Sequence, residues 1–344
     1  MLKHVVILSD GIRGHFHQSL GVALWLERLG GVNVDPVILV PKFSGLRRVA
    51  MMKILARKLA HNTEYCNEWL KLSGIDMPDF KPGTLFISAG SSAAPFCLAL
   101  AKSTGNKSAV IMTPSVLGTK PFDFAIVPEH DAPDINSTNT ITTLGAPNHI
   151  YIPELEEAAI KLFPEIDGGK VLALLIGGSD ANYNLSPEWA RKTLTPLLDF
   201  DGKILLTTSR RTGREADNEI EKIFAGRAEY MLLASQDPDT NPIPAMMGAA
   251  SHVIVTEDSV SMVSEAVTAG FMVGLLRVPR VTGKVKDMLG FGARRFDELF
   301  ARMMSNGLVQ ELADSPDFLK TPEQRHGKDF NEAKRAAEWI LTHQ

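Results

Sequence analysis

The chain has 344 residues, 44% of them hydrophobic and 22% charged, and a formal net charge of -4 at pH 7. That length exceeds what one hydrophobic core usually serves, so two domains are expected. The acidic balance argues against nucleic acid as a general partner, and two isolated cysteines, Cys66 and Cys97, argue against a disulfide framework or a structural zinc site.

The first element is an apolar strand at 4–8, within "KHVVILSD". Its run is too short for a signal peptide, and no run reaches the length of a membrane span, so a cytoplasmic protein is expected. Apolar runs suited to buried parallel strands recur at 34–40, 84–88, 108–112 and 124–128, with helical periodicity at 18–29 and 94–103. Between them, 42–61 is basic and rich in methionine, combining Lys42, Arg47, Arg48, Lys53, Arg57 and Lys58 with Leu46, Met51, Met52 and Ile54. It reads either as a core-facing helix with a basic outer face or as a peripheral contact with an anionic inner membrane.

An acidic helical piece bracketed by proline and glycine, 148–168, separates this series from a second one. Strands follow at 171–176, 203–208, 230–233, 252–256 and 272–276, and helices at 187–200, 215–224, 244–249, 260–269 and 296–306. The closing stretch, 321–343, reads as one capped amphipathic helix. Strand and helix in alternation imply an α/β protein of two Rossmann-like, doubly wound parallel-sheet domains facing each other across a cleft. The domains are placed at 1–150 and 151–325. The sequence leaves open to which of them the helix of 326–344 returns.

Ligand loops in such domains follow the C-terminal ends of strands. After the first strand, "SDGIRGHFHQ" sets Asp10, Gly11, Gly14, His15 and His17 at the mouth of a helix, and after later strands come Gly90, Ser91 and Ser92, then Glu129, His130 and Asp131. In the second half, Gly177, Gly178 and Ser179 follow one strand, Ser209, Arg210 and Arg211 the next, and Asp258, Ser259 and Ser261 a later one. The last three are expected to cap the helix at 260–269, whose unpaired N–H groups and positive dipole end suit phosphate. Glu265 lies one turn past Ser261 on the same face, where it could hold a ribose diol. Ser209 with an adjacent arginine, Arg210 preferred, is expected to clamp a pyrophosphate through charge-assisted bonds. Capping and solvated surface charge explain any one of these loops, but not six of them placed after successive strands.

The second half resembles the donor-binding half of GT-B glycosyltransferases, especially the enzyme that adds N-acetylglucosamine to the lipid-linked peptidoglycan precursor. Gly177, Gly178 and Ser179, Ser209 and Arg210, and Ser259, Ser261 and Glu265 carry that resemblance. The whole chain is similar to the mitochondrial-fission Elm-type family, often described as glycosyltransferases, through "SDGIRGHFHQSLGVA", "FISAG", "PFDFAIVPEHD", "LIGGSDANY", "TTSRRT" and "TEDSVSMVSEA". Ser179 and Ser91 stand where that family commonly has lysine or arginine.

The resemblance implies a GT-B-like fold and an inverting transfer of a sugar from a nucleotide diphosphate donor to a glycan or lipid-linked acceptor of the cell envelope. No cofactor besides that donor substrate is expected, and no metal, since backbone and arginine take the diphosphate charge. His15 is the expected acceptor base, with Asp10 and His130 as alternatives. Two rivals share the architecture: a hydrolysing nucleotide-sugar 2-epimerase, and a non-catalytic adaptor related to mitochondrial fission factors. A NAD-dependent dehydrogenase is disfavoured because no GxGxxG fingerprint follows the first strand.

Overall fold

The computed structural model describes residues 1–41, 50–51, 54, 63–75, 79–131, 137–166, 168–281, 294–314 and 317–344. The basic segment 42–61 therefore lies, apart from Ala50, Met51 and Ile54, outside the described residues. The chain divides into two compact units, Met1–His149 with Asn331–Gln344, and Ile150–Phe330. No helix among the described residues is long and apolar enough to cross a membrane.

In the first unit, β1 (His4–Ser9) is followed by α1 (Arg13–Gly30), β2 (Asn33–Val34) and β3 (Ile38–Leu39). The run read as one strand at 34–40 is thus two short strands. Pro36 sits between them, and proline has no N–H to give to a sheet ladder. Then come α2 (Thr63–Ser73), β4 (Thr84–Ala89), α3 (Gly90–Thr104), β5 (Lys107–Ile111), β6 (Phe124–Pro128) and β7 (Thr140–Thr143). All pairings are parallel, in the order β2-β1-β4-β5-β6-β7, with β3 also on β1.

Both faces of the central strands β1, β4, β5 and β6 are buried, which is why these strands are largely apolar rather than alternating. Val6, Leu8 and Phe86 face a cluster with Trp69, Phe96 and Leu98, whereas Val5, Ile7, Leu85 and Ile87 face one with Val22, Leu26, Ala336 and Ile340. The period-two alternation of β1 and β4 thus feeds two cores, each large side chain contributing roughly 1.5–3 kcal/mol of burial.

The second unit opens with α4 (Ile152–Leu162) and continues through β8 (Val171–Ile176), α5 (Pro187–Leu194), β9 (Lys203–Thr208), α6 (Arg214–Phe224), β10 (Tyr230–Leu232), α7 (Ile243–Ala249), β11 (His252–Thr256), α8 (Val260–Thr268), β12 (Val273–Leu276), α9 (Arg294–Ser305) and β13 (Val309–Glu311). Its parallel sheet runs β10-β9-β8-β11-β12-β13. The helix expected at 187–200 is α-helical only to Leu194; Thr195–Asp199 is a 3-10 turn with Pro196 near its start.

The final helix, α10, spans only Glu332–Thr342 and packs with the first unit. The longer helix expected from 321 is not formed. Gly327 has a φ of +62°, outside the helical range, and Asn331 caps α10 by accepting from the Lys334 N–H at 2.9 Å.

Candidate functional site

In each sheet the chain reverses its direction of winding at one point. Neighbouring loops there leave the strand ends in opposite directions and open a crevice between them. In the second unit that point lies between β8 and β11, and in the first between β1 and β4. The residues singled out by sequence, His130 and its neighbours Glu129 and Asp131 apart, follow the strands at these two points or β9 beside β8.

In the second unit the loops after β8, β9 and β11 are locked together. A methyl group on Gly177 would lie 2.1 Å from the Asp258 carboxylate, and one on Gly178 2.0 Å from the Arg211 carbonyl carbon, so neither position has room for a side chain. The Gly177 N–H donates to Thr256 Oγ1 at 2.7 Å, the Gly178 N–H to Asp258 Oδ2 at 2.7 Å, and the Ser179 N–H to the Arg211 carbonyl at 3.0 Å. The Thr212 hydroxyl donates to the Gly177 carbonyl and accepts the Ser209 N–H at 3.0 Å. Ser209 Oγ accepts the Arg211 N–H at 3.0 Å, and Ser179 Oγ accepts the Leu185 N–H at 2.9 Å.

These bonds change the assignment of the phosphate contacts. The loop N–H groups of Gly177, Gly178 and Ser179 point at other loops. The N–H groups of Val260, Ser261 and Met262, on the first turn of α8 after β11, have no intrahelical carbonyl to serve them. Asp258 and Ser259 do not cap α8 as expected: Asp258 accepts from Gly178, and Ser259, although at the N-cap position, makes no side-chain cap bond. Ser261 is half-buried on the first turn, and Glu265 further along α8 is buried rather than exposed.

The arginine in contact with this constellation is Arg211, not Arg210. Its guanidinium donates to Asp258 Oδ2 at 2.9 Å and reaches Asp180 Oδ2 at 3.5 Å, while remaining 42% exposed; Arg210 stands exposed. The Asp258 side chain is fully buried, and that burial raises its pKa against the opposing pull of the Gly178 N–H, the Thr256 hydroxyl and Arg211.

Next along the strand ends, buried Glu257 accepts from Arg277 at 2.8 Å and from the Val278 N–H at 2.9 Å, and Arg277 also donates to Glu311 at 2.8 Å. Burial works to lower the Arg277 pKa, but the two carboxylates outweigh it and keep the guanidinium charged. Thr212, Thr256, Glu257 and Arg277 were not singled out by sequence. Arg277 directly follows an apolar strand, and that position alone could have flagged it.

In the first unit, Gly11 has a φ of +76° and turns the chain from β1 into α1. Asp10 is buried, and its Oδ2 lies 3.0 Å from His15 Nδ1, while Oδ1 accepts the Ile12 N–H at 3.1 Å. The His15 ring rests on Gly90, the first residue of α3, where a methyl group would meet the imidazole at 2.5 Å. Asp10, His15 and Gly90 thus meet at the β1/β4 reversal. Ser91 Oγ, one residue on, accepts the Ser115 N–H at 2.9 Å. His130 stands apart, in the 3-10 turn Glu129–Asp131 after β6. β6 is three strands from β1, or about 14 Å at the usual strand spacing.

Asp10 fixes the chemistry open to His15. A carboxylate beside Nδ1 favours the tautomer that carries its proton there, which leaves the Nε2 lone pair as a base.

The model of the family described as Mitochondrial fission ELM1 matches residues 13–344, which take in the β8/β11 crevice and His15 but not Asp10. The chain belongs to this family. No curated protein matches it significantly. Among solved structures, this ELM1-family chain is similar to the UDP-GlcNAc 2-epimerase from Methanocaldococcus jannaschii, at 12% identity over 100% of each chain with a TM-score of 0.54. It is also similar to the UDP-GlcNAc 2-epimerase from Neisseria meningitidis bound to UDP-GlcNAc, at 14% identity over 99% of each chain with a TM-score of 0.50. MurG from Acinetobacter baumannii matches at 16% identity over 99% of each chain, with a TM-score of 0.44. Identities this low speak for the fold alone, and two parallel-sheet α/β domains together with the likeness to the two epimerases make the fold of this chain GT-B-like.

Proposed function

We propose that the protein is a metal-independent, inverting glycosyltransferase that moves a sugar from a nucleotide diphosphate donor to a glycan or lipid-linked acceptor of the cell envelope. The observation that carries this reading is the build of the β8/β11 crevice. Two glycines bring three loops into contact beneath the unserved N–H groups of α8, with Arg211 at the rim. Such a cradle suits a diphosphate, since helix-end donors and a guanidinium both stabilise the charge that accumulates on the leaving group. Glu265 is assigned to the ribose. The strand-end carboxylates Asp258 and Glu257 are each matched by an arginine, which favours charge compensation by guanidinium over a metal bridge.

In the first unit, His15 is assigned as the base that takes the proton of the acceptor hydroxyl through Nε2, with Asp10 orienting it. His130 is the alternative base. The donor is the only small molecule required. The basic stretch 42–61 is assigned to peripheral contact with the anionic inner membrane from the cytoplasmic side, where a lipid-linked acceptor would be met. Salt-sensitive co-sedimentation with anionic vesicles tests that contact, and binding indifferent to replacement of Arg47, Arg48 and Lys53 by serine contradicts it.

The family description, mitochondrial fission, names no chemistry, and a second reading is a non-catalytic adaptor built on the same scaffold. Incubation with a panel of nucleotide sugars and bacterial envelope extract, followed by mass spectrometry, separates the possibilities. Transfer gives nucleoside diphosphate and an acceptor heavier by one sugar. A hydrolysing epimerase gives the diphosphate and a free epimeric sugar without acceptor. An adaptor leaves the panel unchanged.

A further inference from the structure

The β8/β11 crevice poses a charge problem. Asp258 lies two residues ahead of α8, and its buried carboxylate sits beside the place where a phosphate would rest on the first turn. Oδ2 is served by the Gly178 N–H at 2.7 Å and by Arg211 at 2.9 Å, whereas Oδ1 is buried with no hydrogen-bond partner among the described residues. Arg211 also has the Gly178 carbonyl at 3.4 Å and Asp180 at 3.5 Å. One guanidinium therefore already faces two carboxylates. A diphosphate entering the crevice brings further negative charge close to Asp258, in surroundings where water screens little.

We propose that Asp258 and Arg211 form a charge-compensating couple: when a nucleoside diphosphate occupies the first turn of α8, Arg211 turns from Asp258 to the phosphate and Asp258 takes up one proton from solvent.

The geometry permits both halves. Arg211 is 42% exposed, so its guanidinium can swing about its stem while its carbonyl stays bonded to the Ser179 N–H at 3.0 Å. Oδ1 is open to receive the proton, and Oδ2 can keep the Gly178 N–H bond throughout. The groups facing Asp258 are the Gly178 N–H from the loop after β8, Arg211 from the loop after β9, and the Thr256 hydroxyl at the end of its own strand. All three favour the ionised form. Burial alone opposes them and already prevails, so losing Arg211 to the phosphate and gaining an anion both push further toward the acid. The proton is gained as Asp258 passes from carboxylate to carboxylic acid, and no other bond is made or broken.

The couple rests on the diphosphate reading of this crevice, and the test separates the two. UDP, GDP and ADP are each titrated calorimetrically into the full chain in phosphate and in Tris, whose ionisation enthalpies differ, so that proton uptake appears as a buffer-dependent heat. The expected result is uptake approaching one proton per nucleotide bound above that shown by Asp258→Asn, an isostere that keeps an oxygen for the Gly178 N–H. Asp258→Asn should bind the nucleotide about tenfold more tightly, because about 1.4 kcal/mol of the parent's binding free energy goes into protonating Asp258 and the variant has no proton to take up. Arg211→Gln should bind it about tenfold more weakly or worse while its circular dichroism matches the parent. Binding with the same proton uptake in the parent and in Asp258→Asn overturns the couple and leaves the diphosphate site standing. Failure of all three nucleotides to bind the parent overturns both.

Discussion

Replacing Gly178 by alanine should disrupt the second unit at its centre. The added methyl would lie 2.0 Å from the Arg211 carbonyl carbon, 2.2 Å from the Thr212 nitrogen and 2.3 Å from the Arg211 oxygen, all backbone atoms that cannot turn aside. Relief requires the loops after β8 and β9 to part, which breaks the bond from the Ser179 N–H to the Arg211 carbonyl and the bond between the Thr212 hydroxyl and the Gly177 carbonyl. Overpacking of this kind costs about 1–3 kcal/mol, and each lost hydrogen bond about 1 more. The total of roughly 3–5 kcal/mol corresponds to a fall in melting temperature of about 6–20 °C for a unit of this size.

Gly226→Ala is the control, since its φ of +72° carries the left-handed cost but nothing lies within 4 Å of the added atom. It should lose only about 1–2 kcal/mol. Scanning calorimetry of both variants decides the matter. A Gly178→Ala protein that melts no lower than Gly226→Ala would show that the two loops are not in contact and would remove the ground for a shaped crevice.

Three further outcomes are expected. Glu265→Gln should weaken nucleotide-sugar binding in calorimetry by about tenfold, and equal affinity would remove Glu265 from the site. If transferase activity is found, Asp10→Asn should lower kcat by about two orders of magnitude or more with little change in donor affinity, as should His15→Ala, whereas His130→Ala should not; the reverse pattern moves the base to His130. Burial holds the pKa of His252 below its ordinary 6.5. The unfolded chain therefore takes up a proton near pH 6.5 that the folded chain refuses, and stability falls with pH below that point by up to about 1.4 kcal/mol per pH unit. Urea titrations at successive pH values should show the slope, and His252→Gln should flatten it.

The sheet strands were legible in the sequence wherever the chain buries both faces: β1, β4, β6, β8, β9 and β11 lie within a residue of the apolar runs that announce them. Where the signal was lost, the reasons are local. β7 is "TITT", without an apolar run, and β13 has three residues. The last helix was overextended because its periodicity runs on past Gly327, whose left-handed backbone no hydrophobic pattern reports.

In the candidate site, the glycines at 177 and 178 and the individual residues Asp10 and His15 were readable from type and position, whereas the pairing of Asp10 with His15 was not, since each reads by itself as an alternative base. The choice between Arg210 and Arg211 was not, because adjacent residues in a loop point in directions set by the turn. The diversion of Asp258 from capping α8 to accepting from Gly178 depends on two loops 80 residues apart in sequence.

Binding of a nucleotide diphosphate sugar by the second unit at the β8/β11 crevice is tested most directly by a thermal-shift titration against a panel of nucleoside diphosphates and their sugars. A ligand that binds only the native state raises the melting temperature with dose, by about 2.7 kcal/mol of stabilisation at a hundredfold excess over Kd. Such a rise is expected for at least one donor, reduced in Glu265→Gln and Arg211→Gln. A panel that leaves the melting temperature unmoved at saturating concentration, or a rise that both variants reproduce in full, would contradict it.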